Sequence, residues 1–79
     1  MAESPRRKKV VDKIIRILRD AGKPEPVNRK TKIGDLVDVI LPDINSAFFS
    51  PGDGFRDGEI DSGESVGQLA TEVIQLQDN

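Results

Sequence analysis

The segment Asp53-Gly-Phe-Arg-Asp57-Gly-Glu59-Ile-Asp61-Ser-Gly-Glu64 spaces oxygen donors in the way a calcium-coordinating loop requires. Asp53 stands at position 1 and Asp57 at position 5, with the turn-making Gly58 at 6. The Glu59 carbonyl falls at 7, apolar Ile60 at 8, Asp61 at 9 and Glu64 at 12. Ca2+ is a hard cation that takes about six to eight oxygens, and this spacing offers several. Phe55 fills position 3 without a side-chain oxygen, and Pro51-Gly52 interrupts any helix that would lead into the loop. The same residues equally form a plain turn, in which Asp and Gly set backbone geometry and bind nothing. The two readings stay open at this point.

A second set of charges lies at the other end. Arg6, Arg7, Lys8 and Lys9, continued by Lys13, Arg16 and Arg19, could contact phosphates of a nucleic acid or another anionic partner. The alternative is a solvated helix face. The division of charge extends along the whole chain. Residues 1–32 hold 11 Lys and Arg against 4 acidic residues, whereas residues 33–79 hold only Arg56 against 10. Such asymmetry fits either a partner surface or halves that attract each other within the fold.

Other chemistry is removed by composition. Cys, His, Trp and Tyr are absent from the 79 residues. No disulfide, thiolate zinc site or cysteine nucleophile can form, and the commonest general base is missing. With three Phe as the only aromatics, base stacking is poorly served. The carboxylates fall in a loop or on polar helix faces, where burial does not separate their acidities. The chain is therefore expected not to be an enzyme. No apolar run reaches the ~18 residues of a membrane span, and the charged N-terminus lacks the apolar core of a signal peptide. A cytoplasmic protein without a membrane role is expected.

The elements that position these residues are helical. Ser4-Pro5 opens a first helix with a capping hydroxyl and a first-turn proline. Val10, Val11, Ile14, Ile15, Ile17 and Leu18 then share one side of a helix over about residues 5–20, and Gly22 follows its end. Residues 22–30 contain two prolines and no periodicity, and read as a loop. Thr31 is expected to cap a second helix carrying Ile33, Leu36, Val37, Ile40 and Leu41, which Pro42 ends. A short helix is expected over Asp43–Phe49. Residues 50–64 form an acidic, Gly-rich loop. Ser65 and Gln68 have the spacing of a capping box for a last helix with Val66, Leu69, Ala70, Val73 and Ile74 inward. The expectation is one all-α domain over 1–79: three main helices plus a short one, with 1–4 a flexible N-terminus.

Taken in chain order, these segments resemble an acyl carrier protein. Lys9-Val10-Val11-Asp-Lys-Ile14-Ile15 is similar to the family's first helix. Thr31-Lys-Ile33-Gly-Asp35-Leu36 resembles the stretch before its modified serine. Phe55…Glu59-Ile60 resembles the segment after the family's second helix, and Ser65-Val66-Gly67-Gln68-Leu69-Ala70…Ile74 is similar to its last helix. The family attaches phosphopantetheine to the serine of Asp-Ser-Leu. Here the run is Asp35-Leu36-Val37-Asp38-Val39-Ile40-Leu41, with valine or isoleucine where the hydroxyl belongs. The second helix, acidic in the family, is apolar in this run. Ser46 lies too late, and Ser62, in Asp61-Ser62-Gly63-Glu64, lies only a short helix from the end. The resemblance implies an acyl-carrier-like fold that docks to a partner protein, with no phosphopantetheine arm and no expected cofactor. The EF-hand-like loop, with Ca2+ on Asp53, Asp57, Glu59, Asp61 and Glu64, is the first alternative. Anion binding through Arg6, Arg7, Lys8, Lys9, Lys13 and Arg16 is the second.

Overall fold

A computed structural model describes residues 3–79; residues 1 and 2 of the expected flexible N-terminus lie outside them. Helix α1 spans Pro5–Asp20, α2 Val37–Phe48 and α3 Val66–Asp78. A single 3-10 turn, Gly34–Leu36, leads directly into α2. Among the described residues there is no strand, only an isolated antiparallel bridge between Lys32 and Ser65.

Local chemistry accounts for the ends of α1 and α3. The Ser4 hydroxyl accepts from the Arg7 amide at 3.2 Å, and Pro5 takes the first helical position, where its missing amide proton is not needed. Glu3, just outside, pairs with both Arg7 and Arg29, so this end is tied down from residue 3. At α3 the capping box is complete: Ser65 Oγ accepts from the Gln68 amide, and Gln68 Oε1 accepts from the Ser65 amide. Two further first-turn amides of α3 donate to a distant loop. Val66 donates to the Thr31 carbonyl and Gly67 to the Arg29 carbonyl, each at 2.9 Å. Groups that a helix start leaves unpaired are thereby satisfied by main chain.

The middle of the chain differs from the sequence expectation. Instead of one helix ending at Pro42 and a short one after it, α2 runs unbroken through Pro42 to Phe48. Thr31 is not its cap, for its hydroxyl accepts from the Asn28 amide and closes a loop turn. A proline inside a helix removes one hydrogen bond and costs about 3 kcal/mol. Packing offsets that loss. Ile40, Leu41 and Ile44, on both sides of Pro42, are all buried, and Pro42 itself faces solvent. Burying each such side chain contributes roughly 1.5–3 kcal/mol, enough for continuity to win.

The core joins these three residues to Val10, Val11, Ile14 and Leu18 of α1 and Val66, Leu69, Ala70 and Val73 of α3. Val27, Ile33 and Ile60 seal it from the two long loops. Helix α1 packs chiefly on α3 and less on α2.

Candidate functional site

The acidic loop is built from the end of α2 outward. The Asn45 side chain binds the backbone of Phe55 twice: Nδ2 donates to the Phe55 carbonyl at 2.8 Å, and Oδ1 accepts its amide at 2.9 Å. Gly54 lets this happen. Its φ of +101° suits glycine, and a Cβ there would stand 2.4 Å from Asn45 Oδ1. The Phe55 ring then meets Phe49 edge-on, with centroids 5.7 Å apart.

The proposed calcium ligands do not converge on this frame. Glu59 accepts from the Arg56 amide at 2.6 Å, Asp61 from the Gly63 amide at 2.9 Å and Glu64 from the Asp61 amide at 3.2 Å. These are turn-closing bonds of the kind short polar side chains make. Asp53 and Asp57 are exposed. Among the described residues, no group of three or more acidic side chains is placed to hold a metal ion.

The basic end is likewise divided. Arg6 turns to α3 and binds Asp78 at 2.8 Å and Gln77 at 2.9 Å. Arg7 donates to Thr71 Oγ1 at 2.6 Å and to the Gly67 carbonyl at 2.9 Å, bracing α1 against α3. The hydrogen bond from Arg29 and the nearby charge of Arg7 hold the Glu3 carboxyl below the usual carboxylate range. Lys8, Lys9, Lys13 and Arg16 remain exposed. Lys9, Lys13 and Arg16 share their crevice with Asp12, and Lys13 also sits over the Phe48 ring at 5.9 Å. The six residues do not form one phosphate-facing surface.

The two serines lie apart. Ser46 is exposed on α2, in a crevice of about 450 Å³ with Lys13, Arg16, Ile17, Asp20, Asp43 and Ala47. Ser62 is exposed in the turn before α3. At the position that the resemblance would assign to a modified serine, Val39 is 55% exposed and Ile40 is fully buried. Val39 is the large apolar side chain most open to solvent among the described residues.

Val39 also marks a surface that the sequence reading missed. Asp35, Asp38, Val39, Pro42, Asp43 and Ser46 are all exposed, at the three- and four-residue steps of one helical stripe. It carries three carboxylates and no cation. By sequence α2 is apolar; the structure turns its apolar residues inward and leaves an acidic outer face. Alternate charges at helical spacing were the available signal, hidden by the assumed break at Pro42.

A second feature lies between the acidic loop and α3. Oε2 of Glu72 is enclosed and has no hydrogen-bond partner. Burial first, then the hydrogen bond and charge of Glu64 and the charge of Asp61, push the Glu72 carboxyl up to about 7. Fold and surface together define a small all-α protein with no helix long and apolar enough to cross a membrane among the described residues. No family model, curated protein or solved structure matches the chain.

Proposed function

We propose that the protein is a cytoplasmic docking module of acyl-carrier-like type, not an enzyme, that meets a basic partner protein through the outer face of α2 and carries no phosphopantetheine arm. The observation that carries this reading is the stripe Asp35, Asp38, Val39, Pro42, Asp43 and Ser46. Three carboxylates surround one exposed apolar side chain, so a partner can gain both charge steering and a dry contact at Val39. None of the three aspartates forms an ion pair among the described residues; Asp43 shares a crevice with Lys13 and Arg16, and Asp35 and Asp38 are left available to cations outside the chain. The matched carrier position supports an armless module, since neither Val39 nor Ile40 offers a hydroxyl.

Quantitative affinity capture compares the wild-type chain with the Asp35→Lys/Asp38→Lys/Asp43→Lys variant, with Lys9→Glu/Lys13→Glu as the control for general charge change. The expected result is a partner retained by wild type and control and lost by the α2 variant. Equal retention by all three overturns the assignment of the face. Intact mass after treatment with coenzyme A and a broad-specificity phosphopantetheinyl transferase is expected to stay constant. A gain of one arm, mapped to Ser46 or Ser62, overturns the armless reading.

A further inference from the structure

The acidic loop carries the same pair of residues twice, Asp53-Gly54 and Asp57-Gly58. An aspartate followed by glycine can react with its own backbone, because glycine has no Cβ to hinder its amide nitrogen as it approaches the carboxyl carbon. A nitrogen–carbon bond closes a cyclic succinimide, and the amide proton leaves with the carboxyl hydroxyl as water. Water then returns and opens the ring at either carbonyl. One opening restores aspartate. The other leaves isoaspartate, whose main chain runs through the former side chain, with no net change in mass or redox state. By sequence the two pairs are equal. Both aspartates are exposed, and neither glycine amide has a hydrogen-bond partner among the described residues.

Their surroundings differ. At Asp53 the backbone is held on both sides. The Asp53 amide donates to the Ser50 carbonyl at 2.9 Å, and Asn45 grips the Phe55 backbone through Nδ2 at 2.8 Å and Oδ1 at 2.9 Å. Gly54 is pressed against this clamp: a Cβ there would stand 2.4 Å from Asn45 Oδ1 and 3.0 Å from the Phe49 ring. Swinging the Gly54 nitrogen toward the Asp53 carboxyl turns this peptide and pulls Phe55 off Asn45. At Asp57 the hydrogen bonds run within the turn itself. The Glu59 amide donates to the Arg56 carbonyl at 3.1 Å, and the Arg56 amide to Glu59 Oε1 at 2.6 Å. A Cβ on Gly58 would meet nothing within 4 Å. The peptide between Asp57 and Gly58 can therefore rotate without disturbing the core.

We propose that Asp57 is a self-modification site that converts to isoaspartate in the folded protein, while the Asn45 clamp protects Asp53 from the same reaction. A closed site reacts only through local opening. The two hydrogen bonds from Asn45 make opening at Asp53 rarer by about tenfold or more. Conversion at residue 57 adds a carbon to the main chain and frees its former main-chain carbonyl as a carboxylate. The bonds between Arg56 and Glu59 then fall out of step, whereas Phe55 on Asn45 and buried Ile60 keep the two ends of the turn in place. The loop thus acquires, at its tip, a mark of the time since the chain folded. This chemistry is independent of what binds the α2 face.

The test is to age the full chain for weeks at neutral pH and physiological temperature, folded in one sample and unfolded in guanidinium chloride in another. Electron-transfer fragmentation then measures isoaspartate at residues 57 and 53 separately. In the unfolded chain the two positions are expected to convert at similar rates. In the folded chain the ratio of residue 57 to residue 53 is expected to rise by about tenfold or more. The same ratio in both samples, a folded chain that favours residue 53, or no conversion at residue 57 in the folded chain overturns the proposal. In Asn45→Ala, with its fold checked by circular dichroism, residue 53 is expected to catch up with residue 57. A folded variant that keeps the wild-type ratio overturns the protective role of the clamp; if the variant unfolds, the two wild-type samples decide alone.

Discussion

Replacing Asn45 with alanine detaches the acidic loop from α2, and the size of the effect is set by the groups left behind. Two hydrogen bonds to the Phe55 backbone, at 2.8 and 2.9 Å, disappear together. Each such bond contributes about 0.5–1.5 kcal/mol net, and a stranded buried partner raises the loss to ~1–3 kcal/mol. Asn45 and Phe55 are only partly buried, so water can reach the freed amide and carbonyl, and the lower figures apply. Part of the Phe49–Phe55 edge contact, worth about 0.5–1.5 kcal/mol, goes with them. The expected total is about 2–3 kcal/mol. In a domain of this size that lowers Tm by roughly 10–20 °C. With a urea m-value near ~1 kcal/mol/M the midpoint falls by about 2–3 M. Urea unfolding followed by far-UV circular dichroism gives the number, and Asn45→Asp, which keeps the acceptor but loses the donor, should fall between. A loss below about 0.5 kcal/mol for Asn45→Ala, the level of an ordinary surface substitution, would show that the loop holds without its clamp and refute the reasoning.

Arg7→Ala should cost about 1–3 kcal/mol in the same assay through the lost bonds to Thr71 and Gly67, while Lys9→Ala stays within ~0.5 kcal/mol. Gly54→Ala should destabilise more than Gly58→Ala. Both carry positive φ, worth about 1–2 kcal/mol against alanine, but only Gly54 would also drive a Cβ into Asn45. Pro42→Ala should raise stability by about 2 kcal/mol, since it removes a penalty of ~3 kcal/mol inside α2 and loses under 1 kcal/mol of unfolded-state stiffening; an unchanged Tm would refute this. Glu72 binds its proton more tightly folded than unfolded, so its contribution is complete below about pH 4.5 and is lost as pH rises through about 7. Thermal melts should therefore show stability falling over that window by ~1–2 kcal/mol, reduced from the full shift by partial exposure, and the slope should vanish in Glu72→Gln.

The legible parts of this chain were those encoded by neighbours in sequence. Ser4-Pro5 and the Ser65–Gln68 box mark the starts of α1 and α3 because capping bonds span three residues. The inward residues of both helices follow from period alone. Helix α2 was misread because the rule that stops a helix at proline is local, while the burial of Ile40, Leu41 and Ile44 that overrides it is tertiary. Asn45 was missed for a different reason: its partner is the backbone of Phe55, which has no residue type to search for. The basic end shows that counting charges does not tell which face they occupy, since Arg6 and Arg7 are turned toward α3 and Lys8 and Lys9 are not. Glu72 looks like any polar residue on an amphipathic helix until the turn carrying Glu64 is folded against it.

The start of α3 is plugged by the carbonyls of Thr31 and Arg29, which belong to a loop far away in the chain. A plug made of main chain reads shape and not identity. Lys30 and Lys32, exposed and in no ion pair among the described residues, can therefore exchange side chains freely, provided Asn28 and Thr31 keep the turn and Arg29 its hold on Glu3. Losing or gaining a single residue there shifts both carbonyls out of line with Val66 and Gly67 at once. Along this loop, tolerance to substitution and tolerance to a change in length should part company. Substitutions at Lys30 and Lys32 would leave the fold intact, and one-residue deletions would unseat the last helix.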